Sequence, residues 1–187
     1  RMYMRVGLMY IDSIFNNEEI KELKSFLDIE GVNFKVIDKG RRITANIDEL
    51  NPVITIFIDF VISSGLLVSL GASVVWDGFK TMVKYVVLKT KGKKFYKVTS
   101  KKVEERDRTI SIVTRINNNE IFFKLEGLES VEELDLALEK LLPMIEKQLN
   151  EMKSNNQIYI ASFDKILNEW VTDNFIEKIR RENGLKR

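Results

Sequence analysis

Residues 53–76, VITIFIDFVISSGLLVSLGASVVW, are 24 consecutive positions with a single charge, Asp59, in a chain whose charged fraction is 31%. Where this run is buried constrains the whole fold. About 20 apolar residues suffice to cross a bilayer, and the flanks, IDELNP before and DGFKTMVKYVVLKTKGKK after, have the polarity of a positive-inside span. One reading is therefore a membrane-associated chain anchored by 53–76. The other buries the run in a soluble core, which is favoured by Asp59 within its first third, by the lack of a second apolar span and by patterned strands around it that need a cover. Ser64, Gly71 and Gly78 recur at seven-residue intervals, and Gly65, Ser69 and Ser73 at four. On a helix such stripes are shallow and let another backbone approach closely. The expectation is an extended lead-in, VITIFI, and then a long central helix from about Phe60 to about Val86, with Ser64, Gly71 and Gly78 as its close-packing positions.

The chain has 187 residues, room for one domain with an appendage. It has no cysteine, hence neither a disulfide framework nor a thiolate metal site, and it fits a reducing, cytoplasmic setting. The opening RMYMRVGLMYIDS lacks a secretory leader's continuous apolar core and reads as a strand. Histidine is absent too. That excludes histidine triads, HExxH zinc sites and histidine phosphotransfer. Catalysis would rest on carboxylates, Lys, Ser or Tyr, and no motif gathers them, so the reading is a non-enzyme without cofactor or metal. The Lys, Ile and Asn bias fits an AT-rich genome, such as a low-GC bacterium or its phage.

Several elements are legible. Met4, Val6, Leu8 and Tyr10 alternate as one strand face. Asn16 and Glu19 form a capping box that opens a helix with Ile20, Leu23, Phe26 and Leu27 on its apolar stripe, ended by Gly31. Val32, Phe34 and Val36, a Lys39-Gly40 turn, and Ile43, Ala45 and Ile47 read as a hairpin. KYVVLKT-KGK-KFYKVTS also fits a hairpin about Gly92, in which case the long helix ends near Phe79. TISIVTRI and EIFFKL flank Asn117-Asn118-Asn119 as the clearest hairpin. Ser130 and Glu133 cap an amphipathic helix that continues to Met152, kinked at Pro143. A last helix is expected from about Ser162, striped by Phe163, Ile166, Leu167, Trp170, Val171, Phe175, Ile176 and Ile179.

Net charge is only +2, but residues 79–115 hold twelve Lys and Arg against three acids, between two acidic flanks. Within that segment Lys91, Lys93, Lys94, Phe95, Tyr96, Lys97, Lys101 and Lys102 are nucleic-acid candidates: lysines contact phosphates and aromatics stack on unpaired bases. A lysine-protected edge strand would have the same composition. Lys39-Gly40-Arg41-Arg42 reads as a solvated turn or an anion-binding one. Phe163, Leu167, Trp170, Val171 and Phe175 on the last helix are interface candidates, packing on the core or on a partner. Removing everything after Ser162 is then expected to leave a folded core.

The order of strand, EEIKELKSFL helix, strands, SSGLLVSLGASVVWDGFKTMV helix, strands and VEELDLALEKLL helix resembles a ferredoxin-like α+β plan. Over residues 3–150 it is similar to the effector-associated constant component domains of bacterial conflict systems, where an EELxxL-like helix precedes a small-residue-rich central helix. The longer basic hairpin and the added C-terminal helix depart from that pattern. The resemblance implies a non-catalytic adaptor or regulator in defence, with no active-site residues to transfer. The expected architecture is an α+β domain over 1–153, a ferredoxin-like antiparallel sheet covered by the long central helix, and a C-terminal helical extension over 154–187. Its expected partner is a protein or a second copy of itself, with nucleic acid bound through 80–108, or a membrane, as alternatives.

Overall fold

The computed structural model of the chain describes residues 4–11, 13–40, 50–60, 73–98 and 101–184. β1 (Met4–Tyr10) buries Met4, Val6, Leu8 and Tyr10 on one face, as their alternation requires. α1 (Asn17–Phe26) begins at a complete capping box. The Glu19 amide donates to Asn16 Oδ1 at 2.9 Å, and the Asn16 amide donates back to the Glu19 carboxylate at 3.0 Å. The chain returns as β2 (Val32–Asp38), parallel to β1. The hairpin partner expected at Ile43, Ala45 and Ile47 lies outside the described residues.

The apolar run divides. Its first part is β3 (Ile54–Phe60), antiparallel to β1, with Ile54, Ile56 and Ile58 fully buried on one face. Asp59 alternates to the opposite face, where Arg5 pairs with it at 3.9 Å, so the run's one charge costs no buried ion. α2 (Val74–Thr90) starts at Ser73, whose side chain accepts from the Trp76 amide, and buries Val75, Trp76, Phe79, Met82, Val83, Val86 and Val87. The expected helix from Phe60 to Val86 is thus corrected at both ends. Phe60 is strand, because Ile54, Ile56 and Ile58 have a period of two, and the helix runs through KYVVLKT to Thr90 rather than stopping at Phe79. Ser64 and Gly71 lie outside the described residues. Gly78 does make a close approach: a Cβ there would stand 2.4 Å from the Phe26 carbonyl oxygen at the end of α1.

β4 (Phe95–Val98) and β5 (Val103–Arg106) form a separate two-stranded ribbon. β6 (Ile110–Ile116) then pairs parallel to β3, and β7 (Asn119–Lys124) folds back on β6. Asn117 and Asn118 have φ of +49° and +62°, the left-handed pair that a tight hairpin turn needs. α3 (Val131–Glu139) opens at Ser130, whose hydroxyl accepts from the Glu133 amide. α4 (Leu141–Glu151) follows after a break at Lys140, since Pro143 has no N–H to offer the Glu139 carbonyl. The Asn117 side-chain amide donates to the Leu149 and Met152 carbonyls, so the asparagine turn also caps α4.

The C-terminal third overturns the expected helix. Residues 158–174 form β8 (Ile158–Asp164), parallel to β7, and β9 (Glu169–Asn174), antiparallel to β8; only α5 (Phe175–Glu182) is helical. The stripe of large side chains at spacings of three and four is two alternating strands folded about a turn. Asp164 Oδ1 accepts from the Ile166 and Leu167 amides, and Asn168 takes a φ of +53°. Residues 154–187 are therefore not a helical extension, because their strands belong to the main sheet.

The sheet is mixed and seven-stranded, in the order β2-β1-β3-β6-β7-β8-β9. This replaces the ferredoxin-like antiparallel plan with a long central helix. β1 to β2, β3 to β6 and β7 to β8 are parallel steps, and each requires a crossover. Helices α1 to α4 share one core cluster on the inner face. β1 and β7 run in the same direction, yet their crossovers step in opposite directions with helices on the same face. The two crossovers therefore have opposite hands, and one departs from the usual right-handed rule.

Candidate docking surface

The outer face of the sheet is covered unevenly. At one end α5 lies beside β8 and β9, and Phe175 and Ile179 join Val113, Phe122 and Ile160 in a second apolar cluster. Asn174 caps that helix, its side chain accepting from the Glu177 amide. At the other end β2, β1 and β3 present Arg5, Gly7, Met9, Lys35, Ile37 and Phe57 around an open trough of about 440 Å³. Ile37 is 46% exposed. Gly7 leaves the floor low, and among the described residues nothing in its surroundings demands glycine: an added Cβ would sit 3.7 Å from Phe57 Cβ, an ordinary contact. The trough is thus an apolar strip with the Lys35 ammonium at its rim and the Arg5–Asp59 pair beside it.

The opposite end of the sheet carries the converse shape. Ile166 and Leu167, at the tip of the β8–β9 turn, are 91% and 62% exposed. The tip is braced by hydrogen bonds and an ion pair. Asp164 Oδ1 binds both of their amides, at 2.8 and 2.9 Å, and Lys165 reaches Glu133 at 2.9 Å. Glu133 is held below the usual glutamate range, first by the Lys165 ammonium and then by backbone amides at the start of α3. With Lys165 counted against Asp164, Glu169 and Glu133, the surroundings of the tip are net acidic.

The interface candidates divide in this arrangement. Trp170 is buried, donating from Nε1 to the Ala137 carbonyl at 2.9 Å and meeting Phe123 and Phe163 edge-on. Phe175 is buried under the outer face and Phe163 is partly buried. Leu167 and Val171 are exposed. The trough residues were not singled out from the sequence. The available signal was MRVGLMY itself, where one strand face carries Arg5, Gly7 and Met9 and the other is uniformly large and apolar.

The basic segment is largely internally paired. β4 and β5 set Tyr96 opposite Glu105 and Lys97 opposite Glu104. Lys94 bridges Glu105 at 3.3 Å, Lys102 bridges Glu104, and Lys101 also has a partner. Lys93 donates to the Ile14 carbonyl and lies over the Phe15 ring. Phe95 is fully buried, which corrects its assignment as a base-stacking residue. Tyr96 and Lys91 remain exposed. Arg108 donates to the Val87 carbonyl at 2.7 Å and so caps α2. At Lys39-Gly40 the Gly40 amide is occupied by Asp38 Oδ1, an acceptor where an anion would need a donor, and Arg41 and Arg42 lie outside the described residues.

Among the described residues no group of three or more acidic side chains is placed to hold a metal ion, and no helix is long and apolar enough to cross a membrane. Residues 54–60, the start of the run considered as an anchor, are a central strand. Fold and surface together define an α+β protein with a mixed seven-stranded sheet, helices on its inner face and, among the described residues, a half-open outer face. No family model, curated protein or solved structure matches the chain.

Proposed function

We propose that this chain is a non-catalytic protein-binding or oligomerisation domain that docks its partner on the open β2-β1-β3 end of the outer sheet face. The observation that carries this reading is the trough itself, where Met9, Ile37 and Phe57 form an apolar strip that, among the described residues, has no helix over it. The inner face of the same sheet is covered by helices, and its outer face is partly covered by α5. Exposed apolar surface bounded by polar groups is where soluble proteins meet partners. An adaptor or regulator in a bacterial or phage defence system, working in the cytoplasm, is the role that the resemblance to conflict-system domains implies. Nucleic-acid binding through 80–108 is the weaker alternative, because Lys94 and Lys102 face glutamates and Phe95 is buried.

Peptide display tests the reading directly. Selection against the wild type is expected to enrich peptides with an apolar centre and acidic flanks, and Ile37→Glu is expected to abolish their binding. Enrichment that is indifferent to Ile37→Glu, or no enrichment at all, overturns the docking surface. Anisotropy with single-stranded and duplex probes at low salt tests the alternative, since phosphate binding must be strongest there.

A further inference from the structure

The open trough and the exposed turn are complementary parts of one chain. The trough is an apolar strip with a lysine on its rim, and the β8–β9 turn is an apolar protrusion, Ile166 and Leu167, set among Asp164, Glu169 and Glu133. They lie at opposite ends of the sheet, on β2-β1-β3 and on β8-β9, so one copy cannot bring its own turn to its own trough. We propose that the trough is occupied by a second copy of this chain, with the Ile166–Leu167 tip of one copy seated on Gly7, Met9, Ile37 and Phe57 of the next. This deepens the docking reading above and rests on it.

Three observations point to this occupant. First, the charges match: Lys35 at the rim would meet the Glu169 side of an incoming tip, whose surroundings are net acidic even with Lys165 counted against Asp164, Glu133 and Glu169. Second, the tip is preorganised. Its two amides are bound by Asp164, and Lys165 ties it to the start of α3, so little conformational freedom remains to be lost on docking. Third, the floor of the trough is a glycine that its own packing does not require. A side chain there would fit the fold and would occupy the space the tip needs.

A contact between two different surfaces of identical chains is heterologous, so it propagates head to tail into a ring or an open filament. That separates it from a two-fold dimer in a single experiment. Sedimentation velocity over a concentration series would compare the wild type, a trough-blocked variant (Gly7→Val with Ile37→Glu), a tip-blocked variant (Ile166→Glu with Leu167→Glu), and an equal mixture of the two variants. Circular dichroism confirms that each is folded, and Gly7→Val alone and Leu167→Glu alone serve as milder versions. The wild type is expected to grow beyond a dimer with concentration, while each variant alone stays monomeric. The mixture is expected to stop at a one-to-one dimer, because one intact tip and one intact trough remain in it. A wild type that stays monomeric overturns self-docking, as does a variant that still associates or a mixture that does not pair. If the wild type is monomeric yet still selects peptides dependent on Ile37, the docking surface stands and its partner is a different protein. If peptide selection fails as well, the surface itself is wrongly assigned.

Discussion

The inner and outer faces of this sheet are built from the same strands but finished differently. On the inner face, α1 to α4 bury one continuous cluster, with Gly78 of α2 against the end of α1 and Trp170 of β9 bonded to α3. On the outer face α5 and Leu50 pack over Val113, Phe122 and Ile160, and among the described residues the β2-β1-β3 end is left open. The difference teaches that one layer can bury its apolar residues completely on one side and only in part on the other. Substitutions inward or under α5 should alter folding, and under the docking proposal substitutions in the trough should alter association alone.

The largest effect of any single substitution is expected from Trp170→Ala. It removes a buried ring packed on Phe123 and Phe163 and strands the Ala137 carbonyl, at a cost of about 3–5 kcal/mol, measurable as a shift in denaturant midpoint. Ending the chain after Ser162 should be worse, since it cuts β8 and removes β9; circular dichroism should show an unfolded chain. A truncated protein that kept its α+β spectrum would show that the inner face does not need its far edge.

Gly78→Ala comes next. In an exposed helix this change would gain about 1 kcal/mol. Here the new Cβ meets the Phe26 carbonyl, and overpacking of this kind costs about 1–3 kcal/mol. A rise in thermal midpoint would mean that α1 and α2 do not approach as closely as described.

Thr114→Val should act in the opposite direction. Thr114 is buried on the inner face, and its hydroxyl finds no hydrogen-bond partner. Replacing it with an apolar group of the same shape should raise stability by about 1 kcal/mol, read from the same denaturant curves. On the outer face Gly7→Val should change stability by no more than about 0.5 kcal/mol, even as it blocks association. A large loss of stability there would put the trough in the core and erase the distinction between the faces.

The smallest effect concerns the tip. Because the folded Glu133 carboxyl lies below its unfolded value, the Lys165 tether contributes above the unfolded pKa and is lost as pH falls through the folded one. An NMR titration of the Glu133 carboxyl should show a midpoint under the ordinary glutamate value, rising when Lys165 is changed to Met. An unchanged midpoint in that variant would mean the tip is not held by this pair.

Local rules determined the elements whose signals are local. Asn16 with Glu19 and Ser130 with Glu133 specify helix starts because a short side chain reaches an amide three residues on, and both starts are where the spacing placed them. The paired asparagines 117 and 118 specify a hairpin because they tolerate positive φ. What only the tertiary structure decided was the pairing of distant segments. The alternation of Ile54, Ile56 and Ile58 already reads as extended, but the helix expected from about Phe60 was overturned at that residue by pairing of β3 with β1 through Phe60. Phe163, Leu167, Trp170 and Val171 fit a helical stripe equally well, until β7 supplied a strand for β8 to join. Glu105, which pairs with Lys94, was visible in the sequence, but its position across the ribbon depends on register. The trough depends on which strands lie side by side and where α5 stops, and neither is encoded within any one segment, because surface shape is a sum over neighbours that the chain brings together only on folding.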